Sequence, residues 1–233
     1  MTTISKEHSD RLYWLGRYTE RAFTTLRTIQ KLYDKIIDKQ KGYTDYLKYF
    51  GLTDNYGSID AFMHSFLYDI NNANSVAYSL ERAYDNGIVL REEISTESLS
   101  FLQLAKDTLG KSSTSANTRL SLLPLEDQLY AFWGCVNEHI YNDEIRNIIY
   151  IGKTIERLDL YIRMEYPFEI TRKEYIRLMK NLERAPKGTP YRYNINNYSE
   201  LVKIMETEEE YTQHSKEVIG CLEHLFEPME VRV

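Results

Sequence analysis

The sequence has few of the residues that mark disulfide-stabilised, metal-binding or membrane-spanning proteins. Its 233 residues include two cysteines, Cys135 and Cys221. No Cys-x-x-Cys pair or Cys/His set with zinc-ligand spacing occurs, which disfavours a structural zinc site. With no export signal at the N-terminus, we expect free thiols in a cytoplasmic protein. No run of about 18 apolar residues occurs, so no membrane span is expected.

Proline, glycine and excess positive charge are also scarce. Five Pro and ten Gly argue against collagen-like and low-complexity chains. The 29 Lys and Arg are outnumbered by 35 Asp and Glu, which gives a formal net charge of -6. A nucleic-acid binder normally carries a basic stripe, so nucleic acid is not an expected partner. A chain of this length can bury roughly 70% of its unfolded surface, and we expect residues 1–233 to form a single domain.

Familiar catalytic and metal motifs are missing as well. None of the five His has Glu three residues before it, as a di-iron bundle would need, and no HExxH motif occurs. Neither a G-x-S-x-G elbow nor a phosphate-binding G-x-x-x-x-G-K-[ST] loop is present. The sequence therefore predicts no metal and no cofactor, and it favours a non-catalytic protein over an enzyme.

The strongest positive signal is helical periodicity. From Ser9 to about Gln40, apolar residues recur at spacings of three and four residues, which predicts one long amphipathic helix. Ser9 or Asp10 is the expected cap, and Gly42 is the expected stop. The same reasoning predicts further helices at about 43–50, 58–69, 75–93, 95–109, 124–164 with a break near 141–143, 171–184 and 198–226.

The segments between these helices are short, apart from predicted loops at 110–117 and 185–197. No pair of strands with hairpin turn chemistry occurs. An amphipathic helix needs neighbours to bury its apolar stripe. The predicted fold is therefore an all-α multi-helix bundle.

Two of the predicted helices share a sequence pattern. Leu15–Ala22 reads LGRYTERA, and Ile151–Leu158 reads IGKTIERL. The shared pattern is apolar-Gly-[Arg/Lys]-x-x-Glu-Arg, followed six residues later by Arg27 in one copy and Arg163 in the other. A weaker copy at Val76–Ala83 has Ala in place of Gly. We interpret these segments as an internal repeat.

Helical geometry gives the repeated positions a meaning. At 100° per residue, Gly16, Glu20 and Arg27 lie within about 40° of one another, as do their counterparts in the second copy. Glycine inside a helix costs about 1 kcal/mol relative to Ala, and close approach of another backbone is the usual compensation. We therefore predict an antiparallel helix pair that crosses at Gly16 and Gly152. Glu20 would then reach Arg163, and Glu156 would reach Arg27.

The chain resembles the Alpha-E family, a bacterial all-helical domain named for its Glu-Arg motif. Tyr13–Ala22 resembles the first conserved block of that family, and Glu81–Glu97 is similar to the second. The third block matches through Gly152, Glu156 and Arg157, although Lys153 replaces its usual Arg. The resemblance runs from about residue 9 to 165.

The resemblance implies a function as well as a fold. The family has no established catalytic activity, and its members typically occur beside genes for ATP-grasp ligases and transglutaminase-like peptidases. An accessory or scaffold protein is therefore implied, with an ATP-grasp peptide ligase or a transglutaminase-like peptidase as its partner. The oligomeric state stays open.

The Glu-Arg residues allow two interpretations. They form either a structural ion-pair network or a cluster that binds an anionic phosphate or carboxylate ligand, because Arg pairs bidentately with both groups. The second helix is apolar almost all round, and an unpaired buried charge is costly, so we favour the network. The candidate residues in both interpretations are Arg17, Glu20, Arg21, Arg27, Glu81, Arg82, Arg91, Lys153, Glu156, Arg157 and Arg163.

Overall fold

A computed structural model describes residues 4–37, 43–185 and 193–226 of the chain. Within these ranges the secondary structure is helical, with an isolated antiparallel bridge between Tyr193 and Phe226. The all-α prediction is confirmed. The helices are α1 (Lys6–Ile37), α2 (Tyr43–Tyr49), α3 (Ile59–Tyr68), α4 (Val76–Val89), α5 (Arg91–Ile94), α6 (Thr96–Ser112), α7 (Thr118–Ser121), α8 (Leu123–His139), α9 (Asp143–Arg163), α10 (Phe168–Glu183), α11 (Ile195–Ile204) and α12 (Glu208–Glu223).

Helix α1 contributes buried side chains to both core clusters of the bundle. Its first half, with Leu12 and Leu15, belongs to a core cluster built mainly with α9, α10, α11 and α12. Its second half, with Leu26 and Ile29, belongs to a second cluster that includes α2 and α3. Helices α4, α6 and α8 contribute to both clusters. One long helix thus connects two regions of buried apolar side chains.

Side-chain caps set several helix starts. The Ser75 hydroxyl accepts a hydrogen bond from the Tyr78 N–H at the start of α4. The Asn142 side chain accepts from the Glu144 N–H at the start of α9. Such caps satisfy backbone donors that have no partner inside the helix. The Asn142 cap lies at the predicted break near 141–143, so α8 and α9 are separate helices.

Some predicted boundaries were wrong. Helix α1 begins at Lys6, and Ser9 is fully buried inside it. The Ser5 hydroxyl, which accepts from the His8 N–H, lies at this start instead. Helix α6 continues to Ser112, so the loop predicted from residue 110 begins later. The predicted stop at Gly42 and residues 186–192 of the second predicted loop lie outside the described residues.

No described helix combines the length and the apolar content needed to cross a membrane.

Candidate functional site

Helices α1 and α9 touch backbone to backbone at two glycines. A Cβ atom on Gly16 would lie 2.1 Å from the Ile149 carbonyl oxygen, and one on Gly152 would lie 2.1 Å from the Tyr13 carbonyl oxygen. Each contacted carbonyl belongs to the residue three positions before the opposite glycine. Neither position can carry a side chain unless a backbone shifts. This close approach compensates for the cost of glycine inside a helix.

The two helices run in the same direction past this contact. Gly16 lies beside Ile149 and Lys153, and one turn later Glu20 contacts Arg157. Residue numbers therefore rise together along both helices, and the predicted antiparallel orientation is wrong. In an antiparallel pair, the Glu-Arg positions would lie on opposite sides of the crossing. The parallel orientation places them side by side.

Each Glu-Arg motif pairs with the other one. The Arg157 Nη2 lies 2.6 Å from Glu20 Oε1, and the Arg21 Nε lies 2.6 Å from Glu156 Oε1. Arg21 also donates to Glu156 Oε2 through its Nη2, at 3.0 Å. A further bond runs from the Arg17 Nε to Glu156 Oε2, at 2.7 Å. We call these five side chains the Glu-Arg network.

The two glutamates of the network differ in electrostatics. Burial alone would raise the pKa of Glu156, but the charges and hydrogen bonds of Arg21 and Arg17 outweigh burial and lower it to about 2. Burial raises the pKa of the fully buried Glu20, with Arg157 and Lys153 only partly opposing it. Glu156 accepts from two guanidinium groups, whereas Glu20 Oε2 lacks a hydrogen-bond partner in the described part of the chain.

Lys153 makes the surroundings of the two Glu-Arg motifs different. It occupies the position that Arg17 has in the first copy, yet its Nζ lies 3.7 Å from the centroid of the Trp133 ring. Such a contact is a cation–π interaction. Burial lowers the pKa of Lys153 to about 8, against the attraction of Glu20. Because lysine stands here, Glu20 is hydrogen-bonded by one guanidinium, that of Arg157.

Arg27 and Arg163 do not join the network. The Arg27 Nε lies 3.6 Å from Glu126 of α8, and Arg163 pairs with Asp159 and Glu223 at 2.8 Å each. The predicted Glu20–Arg163 and Glu156–Arg27 pairs are therefore wrong. Both arginines lie almost two turns beyond the glutamates, and in a parallel pair they move away from the opposite glutamate rather than towards it.

The candidate residues of the middle block also lie elsewhere. Glu81 pairs with Lys106 of α6 at 2.7 Å. Arg82 contacts Asp85 on its own helix, and the exposed Arg91 contacts the adjacent Glu92. These contacts belong to the surface of α4, α5 and α6. The Glu-Arg network therefore draws on the first and third blocks of the sequence.

Glu174 of α10 extends the network, and we did not predict it. It is buried, pairs with Arg177 on its own helix, and lies 3.8 Å from the Arg157 Nη1. A weak signal for it exists in the sequence: Phe168, Leu178 and Leu182 mark one face of α10, and Glu174 is the acidic position on that face. A buried carboxylate needs a cation, which Arg177 of the same helix supplies, with Arg157 of α9 as a more distant second one.

A basic cavity opens beside this extension. Its volume is about 760 Å³, and residues of α8, α9 and α10 line it. Six basic and two acidic side chains face it, so its formal charge is +4 in a chain of -6. The basic residues are Arg146, Lys153, Arg157, Arg177, Lys180 and Arg184; the acidic residues are Asp143 and Glu174.

Metal-ligating and thiol groups do not cluster. Within the described ranges, no group of three or more His, Cys, Asp or Glu residues could hold a metal ion. Cys135 and Cys221 are both free thiols, and burial raises the pKa of each. A raised pKa keeps a thiol protonated, which makes it a poor nucleophile.

Comparison with known proteins gives one match. The Alpha-E family model, described as a predicted alpha-helical domain with a conserved ER motif, matches residues 7–219, nearly the whole chain. The resemblance predicted from residues 9–165 is confirmed and reaches further towards the C-terminus. No curated protein and no solved structure matches the chain.

Proposed function

Because the chain belongs to the Alpha-E family, we propose that it is a non-catalytic helical protein with an accessory or scaffold role. One observation supports the non-catalytic part: the two Glu-Arg motifs neutralise each other across the contact between α1 and α9. A general acid or base must lie within hydrogen-bond reach of its substrate. Glu20 and Glu156 are both buried, and each is held by an arginine of the opposite helix.

On this proposal, the Glu-Arg motif fixes how two helices meet. Removing one partner of a buried ion pair typically costs 3–5 kcal/mol, because the other charge stays buried and unpaired. A displaced or reversed α9 would separate both pairs at once. The network therefore favours one packing of α1 on α9 over its alternatives, which is a structural reason for glutamate and arginine at these positions.

We propose an ATP-grasp peptide ligase or a transglutaminase-like peptidase as the partner. This class of partner is what the resemblance to the Alpha-E family implies. The chain would bind the enzyme, and the enzyme would form or cleave the peptide or amide bond.

Co-expression tests this partner class. The full chain is produced with an ATP-grasp ligase, or with a transglutaminase-like peptidase, encoded near it. Each mixture is analysed by size-exclusion chromatography with light scattering. We expect one of the two enzymes to elute with the chain at the mass of a complex. Separate elution of both enzymes would contradict the proposal.

The alternative function, an enzyme or binding protein that holds an anionic ligand in the Glu-Arg cluster, has less support. Both carboxylate oxygens of Glu156 accept from arginine, and Arg17 and Arg21 already bind this carboxylate. An external phosphate or carboxylate would have to displace Glu156 from two guanidinium groups. Arg157 lines the basic cavity and a second, smaller cavity beside α1, whereas Arg17 and Arg21 line neither of these two.

A further inference from the structure

The basic cavity between α8, α9 and α10 is unusual for this molecule. The chain as a whole is acidic, yet the cavity has a formal charge of +4. Like charges gathered around one concave surface repel each other, and the low-dielectric walls of a cleft strengthen their field. This arrangement attracts anions from solution.

Half of the basic groups are already neutralised within the protein. Arg146 binds Asp143 and the Ile140 carbonyl oxygen, and Arg177 binds Glu174. Arg157 binds Glu20. Each of these three arginines therefore already has a carboxylate partner within the protein.

The other three basic groups carry a formal charge of +3, which is what remains of the +4 once Glu20, which pairs with Arg157 but does not line the cavity, is counted. Lys153, Lys180 and Arg184 make no ion pair within the ranges that the structure describes. Lys153 is half-buried against Trp133, whereas Lys180 and Arg184 are exposed at the cavity margin. One half-buried cation of α9 and two exposed cations from the C-terminal end of α10 thus face the same space.

The size and the polar lining of the cavity indicate the kind of anion. A volume of about 760 Å³ lies within the 300–1,000 Å³ typical of small-molecule sites and greatly exceeds a single inorganic ion. The amide side chains of Asn137, Asn147 and Asn181 add donors and acceptors to the wall. A ligand that fills this space has an organic body and more than one negative group.

We propose that this cavity binds a small organic ligand with at least two oxyanion charges, either a phosphate ester or a polycarboxylate. Arg184 provides a planar fork that matches both kinds of oxyanion, and Lys153 and Lys180 provide point charges. The site shares Arg157 with the Glu-Arg network, but Arg17 and Arg21 do not line the cavity. The proposal is also independent of the accessory role.

Isothermal titration calorimetry on the full chain tests the site. The probes are pyrophosphate and citrate, each added at constant ionic strength with sodium chloride as the balancing salt. We expect saturable binding of at least one probe. The double variant Lys180→Gln/Arg184→Gln removes two exposed charges from the cavity margin, and we expect it to bind at least tenfold more weakly.

The matched control is Arg172→Gln/Lys173→Gln. Arg172 and Lys173 are exposed residues of α10 and do not line the cavity. Their replacement lowers the net charge of the chain by the same amount as the first double variant. We expect its affinity to stay within about twofold of the original chain. Circular dichroism confirms that both double variants are folded.

The outcomes distinguish a phosphate ligand from a carboxylate ligand, and they also test the proposal itself. Binding of pyrophosphate but not citrate indicates a preference for phosphate groups, and binding of citrate but not pyrophosphate indicates a preference for carboxylates; both results support the site. Absence of saturable binding with both probes would overturn it. An equal loss of affinity in the two double variants would also overturn it, because the effect would then come from net charge and not from this cavity.

Discussion

Glu20 and Glu156 hold the same position in the two Glu-Arg motifs, but their pKa values shift in opposite directions. Two arginines keep Glu156 ionised, whereas Glu20 has one arginine and a raised pKa. Two features accompany the difference: Lys153 stands where the first motif has Arg17, and the carboxylate of Glu174 lies near Glu20 and, in addition to burial, raises its pKa. Lysine is a point charge and here turns to Trp133, whereas arginine can bind a carboxylate through a planar fork.

This difference predicts unequal costs of neutralising each carboxylate. Glu156→Gln leaves Arg17 and Arg21 without their carboxylate, and we expect it to lower the free energy of unfolding by about 3–5 kcal/mol. Glu20→Gln leaves Arg157 close to Glu174, and we expect a smaller loss. Urea unfolding of both variants, followed by circular dichroism at pH 7, measures the two losses.

The pH dependence provides a second check on the same variants. A carboxylate whose folded pKa is lowered adds stability above its unfolded pKa, and this stability is lost as the pH falls through the folded pKa. For Glu156 that window extends from the ordinary value of 4.5 down to about 2. The difference in unfolding free energy between the original chain and Glu156→Gln should therefore decrease from pH 7 to pH 3. Two results would contradict this account. One is an equal loss of unfolding free energy in both variants at pH 7, and the other is a difference between the original chain and Glu156→Gln that does not change with pH.

At the level of helices, the contact between α1 and α9 depends on two glycines for its closeness. The backbone of each helix occupies the place where the other would need a side chain. This closeness brings the glutamates and arginines one turn later within 2.6–3.0 Å of each other. The glycines and the Glu-Arg network therefore act as one unit of packing.

Alanine at either glycine should disrupt this unit. For Gly16→Ala and Gly152→Ala, the new methyl group would clash with a backbone oxygen that no rotamer change can move. We expect each variant to lose about 3 kcal/mol of unfolding free energy, at the upper end of the usual cost of overpacking, because backbone atoms must move. Thermal unfolding measured by circular dichroism provides the comparison.

Gly134→Ala is the matched control for these variants. Gly134 lies inside α8, and no atom within 4 Å would meet a Cβ there. Alanine favours a helix over glycine by about 1 kcal/mol, so this control should be stabilised. Destabilisation of all three variants to the same degree would show that the close contact is not the cause.

At the level of the whole molecule, α1 joins two core clusters. Leu15 belongs to the cluster around α9, and Leu26 belongs to the cluster around α2 and α3. Both side chains are fully buried on the same helix. Helices α4, α6 and α8 also cross from one cluster to the other. A continuous set of helices through both clusters favours one cooperative unit.

Leu15→Ala and Leu26→Ala test the predicted single domain. Each variant removes a buried side chain and should cost about 2–5 kcal/mol. In one cooperative domain, each would lower the same single transition observed by calorimetry. Two transitions, with each variant moving only one of them, would show that the clusters unfold independently.

Local sequence determined the helical class and the composition of the contact stripe. The three- and four-residue spacing of apolar side chains predicts helices because 100° per residue is a property of each helix alone. The same angle placed Gly16 and Glu20 on one stripe before any partner helix was known. The glycine-to-glycine close contact also follows from this pattern, since glycine inside a helix needs a compensating neighbour.

Tertiary structure alone decided the direction of α9, the partner of each charge and the basic cavity. More than a hundred residues separate the two Glu-Arg motifs, and their path sets whether the helices run parallel or antiparallel. That direction determines that Glu20 contacts Arg157 and not Arg163. Glu174 and Arg184 line the basic cavity because α10 packs on α9. Periodicity fixes the face of a single helix, whereas ion pairs and cavities depend on how separate helices meet.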